Sequence, residues 1–280
     1  MNRIPWQVGD RLLGVSPLPE LMGILNCTPD SFFDGGKRDG IVAQRLWAKQ
    51  MLQDGASIID VGGESTRPGA ASISVEEELN RVIPIILELK KWQSDLDFQI
   101  SIDTTKAKVA GMAVQAGASI INDITMAQSD PLMLDTIVAT GASIVLNHIQ
   151  GTPRDMQSQP YYMDCVREVQ QTLLQIAQEL EHRGVMRSKI CLDPGIGFGK
   201  RLEDNYDLIR AANSFCQLGY PVLYGVSRKS YIGKTAGLES SDRLIPSVVS
   251  AVLLARNGVG VLRVHDVAAT REGLLISQQL

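Results

Sequence analysis

Apolar positions along this chain recur in two rhythms. Short β-branched and aliphatic runs read as buried strands: Leu21–Asn26, Ser57–Gly63, Phe98–Thr104, Ser119–Ile124, Ser143–Ile149, Ile190–Phe198, Pro221–Ser227 and Val259–Asp266. Between them lie stretches such as "SVEEELNRVIPIILELKKW" and "CVREVQQTLLQIAQELEHRG", where apolar residues return every three or four positions, as on one face of a helix. Strands alternating with helices predict a parallel sheet with helical crossovers. The number of strands favours one α/β domain over 1–280, a single (β/α)8 TIM barrel, with an open doubly wound sheet as the rival. Three strands share one approach, "GASIIDV", "GASIIND" and "GASIVLN", in which Gly ends the preceding helix and Ala-Ser leads into the strand. Residues 1–20 are read as an N-terminal segment, with a short hairpin closing the barrel floor.

Polar residues break this pattern at one end of strand after strand: Asn26, Asp60, Asp103, Asn122, Asn147, Asp193, Lys229, Arg263 and His265. In a barrel those ends converge on one mouth, where such folds keep their chemistry. A lone strand-end Asp is usually a cap or a packing detail, but a set drawn from nearly every strand predicts a site. Alternation adds that Ser101 and Asp103 share a face, as do Arg263 and His265. Asp103, Asn122 and Asp193 together offer acceptors and donors for an amide-and-amidine ring edge such as a pterin's. "SRKS" at the end of the seventh strand places Lys229 at the lip of the mouth. The loops "CTPDSFFDGGKRDG" and "GESTRPGAAS" are long and rich in Gly, Pro and hydroxyl residues, and Phe32 and Phe33 suggest a lid over an aromatic substrate.

Composition narrows the partners. The chain has 280 residues, is 44% hydrophobic and carries a formal net charge of −4, so neither nucleic acid nor an anionic membrane is an expected partner. No continuous apolar run is long enough for a transmembrane helix, and the first residues lack a signal-peptide pattern. The four scattered cysteines lack metal-type spacing and read as free thiols of a cytoplasmic protein.

Seven segments, "GILNCTPDSFFDGG", "IIDVGGESTRPGA", "SIDTTK", "INDI", "LDPGIGFGK", "GVSRKSYIG" and "RVHDV", resemble in order the motif blocks of bacterial dihydropteroate synthase. The resemblance runs from about Leu21 to the C-terminus. It implies a barrel enzyme that joins p-aminobenzoate to 6-hydroxymethyl-7,8-dihydropterin pyrophosphate, releasing pyrophosphate and making 7,8-dihydropteroate in folate biosynthesis. Family members are cytoplasmic homodimers that use Mg²⁺ and are targets of sulfonamides. Carried onto this sequence, the resemblance implies that Asp103, Asn122, Asn147, Asp193 and Lys229 hold the pterin. Pyrophosphate would lie against Asn26, Thr66, Arg67, Arg263 and His265, with Asn26 as the protein ligand of Mg²⁺. Phe32, Thr66, Pro68, Phe198 and Ser230 would hold p-aminobenzoate, together with Lys229. Asp103, Lys229, Arg263 and His265 would carry the chemistry, an SN1-like departure of pyrophosphate stabilised electrostatically.

Three positions depart from the family pattern: Asn147 where Met is common, Phe33 where Ser is more usual, and Cys27 beside Asn26 where an aliphatic residue is common. Blander roles are expected elsewhere: His148 as a strand residue, His182 at a helix end and Asp60 bracing the second loop, while Arg228 either holds its own loop or contacts a ligand. The rival functions are a pterin-binding methyltransferase module and a non-catalytic pterin-binding paralogue.

Overall fold

The computed structural model of the chain describes residues 3–28, 40–65 and 72–280. An antiparallel hairpin, β1 (Trp6–Val8) and β2 (Arg11–Leu13), precedes eight parallel strands. These are β3 (Glu20–Asn26), β4 (Ile58–Gly62), β5 (Gln99–Asp103), β6 (Ile120–Asp123), β7 (Ser143–Asn147), β8 (Ile190–Asp193), β9 (Leu223–Tyr224) and β10 (Val261–Val264). They pair in the order β8-β7-β6-β5-β4-β3-β10-β9. A parallel bridge between Leu192 and Val222 joins the two ends, so the sheet closes as the predicted barrel. Around it run α1 (Gly40–Gln53), α2 (Val75–Trp92), α3 (Ala107–Ala116), α4 (Met133–Thr140), α5 (Cys165–His182), α6 (Leu202–Arg210), α7 (Ala212–Cys216), α8 (Ser230–Ala236), α9 (Leu244–Arg256) and α10 (Val267–Gln279).

Local signals account for the longest helices. Ser74 caps α2 by accepting the Glu77 N–H, three glutamates fill its first turn, and Lys90 and Lys91 close its last turn. Asp164 caps α5 in the same way through the Arg167 N–H. The "GAS" repeat behaves as expected: Gly141 ends α4 in the left-handed region (φ 64°), which only glycine adopts without cost.

The barrel interior changes character along its axis. Each of five strands contributes one inward apolar residue and, two positions later, one inward polar residue. The pairs are Ile58 and Asp60, Ile120 and Asn122, Val145 and Asn147, Cys191 and Asp193, and Val261 and Arg263. The apolar members, with Met22 and Leu223, pack on Trp6, Val8 and Leu13 of the hairpin. The hairpin is therefore the floor, as expected, and the Trp6 indole N–H donates to the Lys189 carbonyl at 3.1 Å to fix it there. A larger apolar cluster fills the space between barrel and helices, from Leu25 and Ile59 to Leu254 and Leu274. With one end plugged and the outside covered, only the C-terminal ends of the strands are left for polar groups.

Three strands are shorter than their apolar patterns suggest. β8 stops at Asp193 because Pro194 cannot donate to a ladder, and Gly195 and Gly197 then take positive φ. β9 is reduced to Leu223–Tyr224, and the chain beyond Gly225 leaves the sheet so that the Ser227 hydroxyl can take the His265 backbone N–H at 3.2 Å. β10 ends at Val264, which puts His265 just beyond the strand. All four cysteines are free. Among the described residues no helix is long and apolar enough to cross a membrane.

Candidate active site

At the mouth, a narrow recess is lined by Asn122, Ile124, Asn147, Asp193, Ile196, Phe198, Gly225, Lys229 and Arg263. Six of the predicted site residues, from five strands and their loops, thus meet around one hollow. Asp103 stands at its edge, joined to it through Arg263, and lines a wider cleft with Glu64, Thr104 and Lys106. Asn26 reaches the same edge: a side chain at Gly62 would lie 3.9 Å from Asn26 Oδ1 and 3.6 Å from Asp103 Cβ.

Arg263 organises the centre. Its Nε donates to Asp60 Oδ2 at 2.6 Å and its Nη2 to Asp103 Oδ2 at 2.7 Å, while Asn122 Nδ2 donates to the same Asp60 oxygen at 3.1 Å. Asp60 therefore braces Arg263 and Asn122 inside the barrel, where sequence reasoning had placed it against the second loop. The signal was present, because Asp60 alternates with Ile58 as Asn122 does with Ile120. Burial pushes the Asp103 carboxyl above its ordinary range, Arg263 pulls against that, and Asp60 adds to it. Burial likewise pushes Asp193 up to about 6, opposed by the Gly195 N–H that Oδ1 accepts at 2.8 Å and then by Lys229 and Arg263. Both carboxyls sit ready to gain from hydrogen-bond donors on a ligand.

Lys229 enters the barrel through a constrained turn. Arg228 takes φ +55°, a left-handed conformation that costs a non-glycine residue ~1–2 kcal/mol. It is held there by a two-pronged ion pair to Asp266 (2.8 and 2.5 Å) and by Ser247 Oγ accepting its backbone N–H at 2.8 Å. Arg228 thus holds its own loop, one of the two roles the sequence left open. Lys229 follows with its ammonium 4.1 Å from the Phe198 ring centroid, and burial and Arg263 lower it to about 8. Ser230 is exposed and opens α8.

His265 receives a narrower role than a third cation would have. Burial, then Arg263 and Arg228, lower its imidazole to about 4, so near neutral pH it is an uncharged hydrogen-bonding group. Its Nδ1 lies 3.0 Å from Ser227 Oγ. That hydroxyl already serves the His265 backbone N–H, and the adjacent Asp266 is committed to Arg228, so the pair is a turn contact and not a nucleophile with its base. Asn147, the departure in the fifth barrel strand, donates to the carbonyls of Ile124 (3.2 Å) and His148 (3.3 Å) and remains part of the recess wall.

Cys27 is buried and its thiol is pushed up to about 12, which makes it a packing residue. His182 is the last residue of α5, the helix-end position expected of it. His148 is not merely a strand residue, because the buried Lys200 ammonium lies 3.0 Å from its Nδ1. Phe32, Phe33, Thr66, Arg67 and Pro68 lie outside the described residues. Sequence reasoning also passed over Asp123, a buried carboxylate that takes the Thr125 hydroxyl (2.6 Å) and N–H (2.7 Å) and shapes the turn carrying Ile124. Nothing in its spacing separates it from an ordinary strand-end cap.

A family described as pterin binding enzyme matches residues 22–265. Dihydropteroate synthase of Escherichia coli is 43% identical over 258 residues, covering 92% of this chain and 90% of that one. The Xanthomonas albilineans dihydropteroate synthase, solved with 4-aminobenzoic acid, superposes with a TM-score of 0.91 at 39% identity, covering 99% of this chain and 98% of that one. The Yersinia pestis dihydropteroate synthase, solved in complex with a sulfonamide drug, gives a TM-score of 0.90 at 39% identity and covers 98% of each chain. With a closed parallel barrel, polar strand ends gathered at its mouth and these likenesses over nearly the whole length, the chain belongs to the dihydropteroate synthase family of pterin-binding enzymes.

Proposed function

We propose that this chain joins p-aminobenzoate to 6-hydroxymethyl-7,8-dihydropterin pyrophosphate in the recess at the barrel mouth, making 7,8-dihydropteroate and releasing pyrophosphate. The observation that carries this reading is the meeting of Asn122, Asn147, Asp193, Lys229 and Arg263 on one hollow, with Asp103 at its edge. Asp103, Asn122 and Asp193 pair with the donors and acceptors of the pterin ring, and Asn147 supplies a polar wall where an apolar one is usual. Lys229 faces the ring and, with Phe198, bounds the place of p-aminobenzoate. The resemblance assigns Ser230, Phe32, Thr66 and Pro68 to that side, near the p-aminobenzoate carboxylate; the last three lie outside the described residues. That two bacterial relatives were solved with 4-aminobenzoic acid and with a sulfonamide drug supports p-aminobenzoate as the second substrate.

In the reaction the bond between the pterin methylene and the pyrophosphate oxygen breaks with its electron pair leaving on oxygen. The methylene cation is delocalised into the ring, beside the Asp103 carboxylate. The aromatic amine then forms the new C–N bond with its lone pair and loses a proton to water. It needs no strong base, and the chain's contribution is orientation and a fixed electrostatic environment. Arg263 and the neutral donor His265 face the departing anion, and the resemblance assigns Arg67, outside the described residues, to the same anion.

Mg²⁺ is a substrate-borne partner in this reading, and the residues fit it. Among the described residues no group of three or more His, Cys, Asp or Glu could hold an ion unaided. Asn26, a hard amide oxygen donor beside Asp103, suits an ion that keeps several waters and binds through substrate phosphates. Bound there, the ion would neutralise charge on the leaving group.

The outer surface supports a homodimer. Ile245, Val249 and Leu253 recur every four residues on α9 and are 75%, 52% and 52% exposed, with the half-exposed Ile276 on the neighbouring α10. A buried-thiol protein without disulfides suits the cytoplasm. The test of the activity is pyrophosphate release by the purified protein with Mg²⁺ and the pterin substrate. Release that rises with p-aminobenzoate, with dihydropteroate formed in equal amount, is expected. A folded protein that binds pterin but forms no product would be a non-catalytic paralogue.

A further inference from the structure

Lys200 is a buried amine, lowered by burial to about 7, that no part of the mechanism above uses. It follows a loop in which Gly195, Gly197 and Gly199 all take positive φ, and it turns back beneath that loop. Its Nζ donates to the Phe198 carbonyl at 2.8 Å and reaches the Gly195 carbonyl at 3.4 Å. It also lies 3.0 Å from His148 Nδ1, at the end of β7. Burial, with Lys200 beside it, lowers the His148 imidazole to about 3. The ring is therefore neutral, and its Nδ1 and the Lys200 Nζ are hydrogen-bond partners. The Nζ thus has three polar partners on two neighbouring loops, and the Tyr162 ring closes the remaining side at 5.6 Å.

The two loops also approach closely without Lys200. A Cβ at Gly195 would fall 1.8 Å from the His148 carbonyl oxygen, so backbone meets backbone there. Tyr162 Oη donates to the Gly199 carbonyl at 2.8 Å, and Asn205 Oδ1 accepts the Gly197 N–H at 2.6 Å. These bonds fix Gly197 and Gly199. Lys200 is the side chain that fixes Phe198 itself, the residue whose ring lies 4.1 Å from the Lys229 ammonium.

We propose that Lys200 is a positioning residue for the condensation: through the Phe198 and Gly195 carbonyls, with His148 as its third partner, it sets the Phe198 ring against Lys229 and so the wall on which p-aminobenzoate rests. This rests on the reading of Phe198 and Lys229 as that wall. A buried amine with three partners is directional, and replacing it by an apolar side chain of similar length leaves the Phe198 carbonyl without its side-chain donor, while the Gly195 carbonyl keeps only the Phe198 N–H. The Phe198 peptide is then free to rotate while the barrel beneath stays intact.

The experiment is steady-state kinetics of K200M, F198L and the double variant with both substrates varied, alongside thermal melting of each. F198L tests the wall: a raised KM for p-aminobenzoate supports it, and an unchanged KM removes the wall and this inference with it. Given a shift in F198L, K200M is expected to raise KM for p-aminobenzoate about tenfold, the scale of one charged hydrogen bond, with kcat and the pterin KM near wild type. The double variant should be no worse than the poorer single variant. A melting-competent K200M with wild-type KM, or penalties that multiply in the double variant, overturns the proposal while leaving the wall standing. Should K200M fail to fold, H148L decides: a raised p-aminobenzoate KM that H148N, with an acceptor restored near the Nδ1 position, largely recovers supports the role, and an unchanged KM overturns it.

Discussion

At Arg263 one guanidinium serves two buried carboxylates, Asp60 and Asp103. Such an arrangement is held by mutual pairing, and removing the shared partner is far costlier than removing the whole group. Arg263→Met is expected to destabilise the protein by about 3–5 kcal/mol in urea denaturation near neutral pH. The loss should shrink in acid. Without Arg263 the Asp103 carboxyl, already raised by burial, rises further, and a carboxyl whose folded pKa is raised gives stability that is present at low pH and lost as pH climbs through that value. Asp193 follows the same sign. Its folded value of about 6 lies above the ordinary carboxyl range, so its favourable contribution is complete below about 4 and gone above 6. Asp193→Asn should therefore melt higher than wild type at pH 8, with little difference at pH 4, while binding pterin more weakly.

Among the elements, the turn after β9 is the most constrained. Arg228 sits in the left-handed region and is kept there by Asp266, so Arg228→Ala loses the ion pair and keeps the strained conformation. Raised KM for both substrates is expected, because Lys229 is the next residue, and Asp266→Asn should move both KM values the same way by less. Strand existence was legible in the sequence because each run is apolar and flanked by turn chemistry. Strand ends were less so. β8, β9 and β10 stop earlier than their apolar runs because Pro194, Gly225 and the Ser227–His265 contact take the backbone out of the ladder, and only the last depends on residues far apart in the chain. The inward alternation carried Asp103, Asn122, Asn147, Asp193 and Arg263 to the mouth as read. It carried Asp60 there too, but not its pairing with Arg263 and Asn122, which depends on residues far apart in the chain.

For the whole molecule, the gradient along the barrel axis explains why one end holds chemistry. The hairpin and seven apolar residues seal the floor, so polar side chains two positions further on share a single open face. Lys200 was not legible as buried, since a lysine after a run of glycines looks like a solvated loop residue until the two loops are seen to meet. For the proposed homodimer, the exposed apolar row on α9 predicts that Ile245→Glu lowers the sedimentation coefficient to that of a monomer, with an unchanged coefficient as the contrary result. The most direct test of the account concerns the carboxylate at the edge of the recess. Asp103→Asn, shown by melting to be folded, should form 7,8-dihydropteroate at least about 100-fold more slowly than wild type under saturating substrates, as expected when a fixed charge facing a developing cation is removed. Turnover close to wild type in that variant would contradict it.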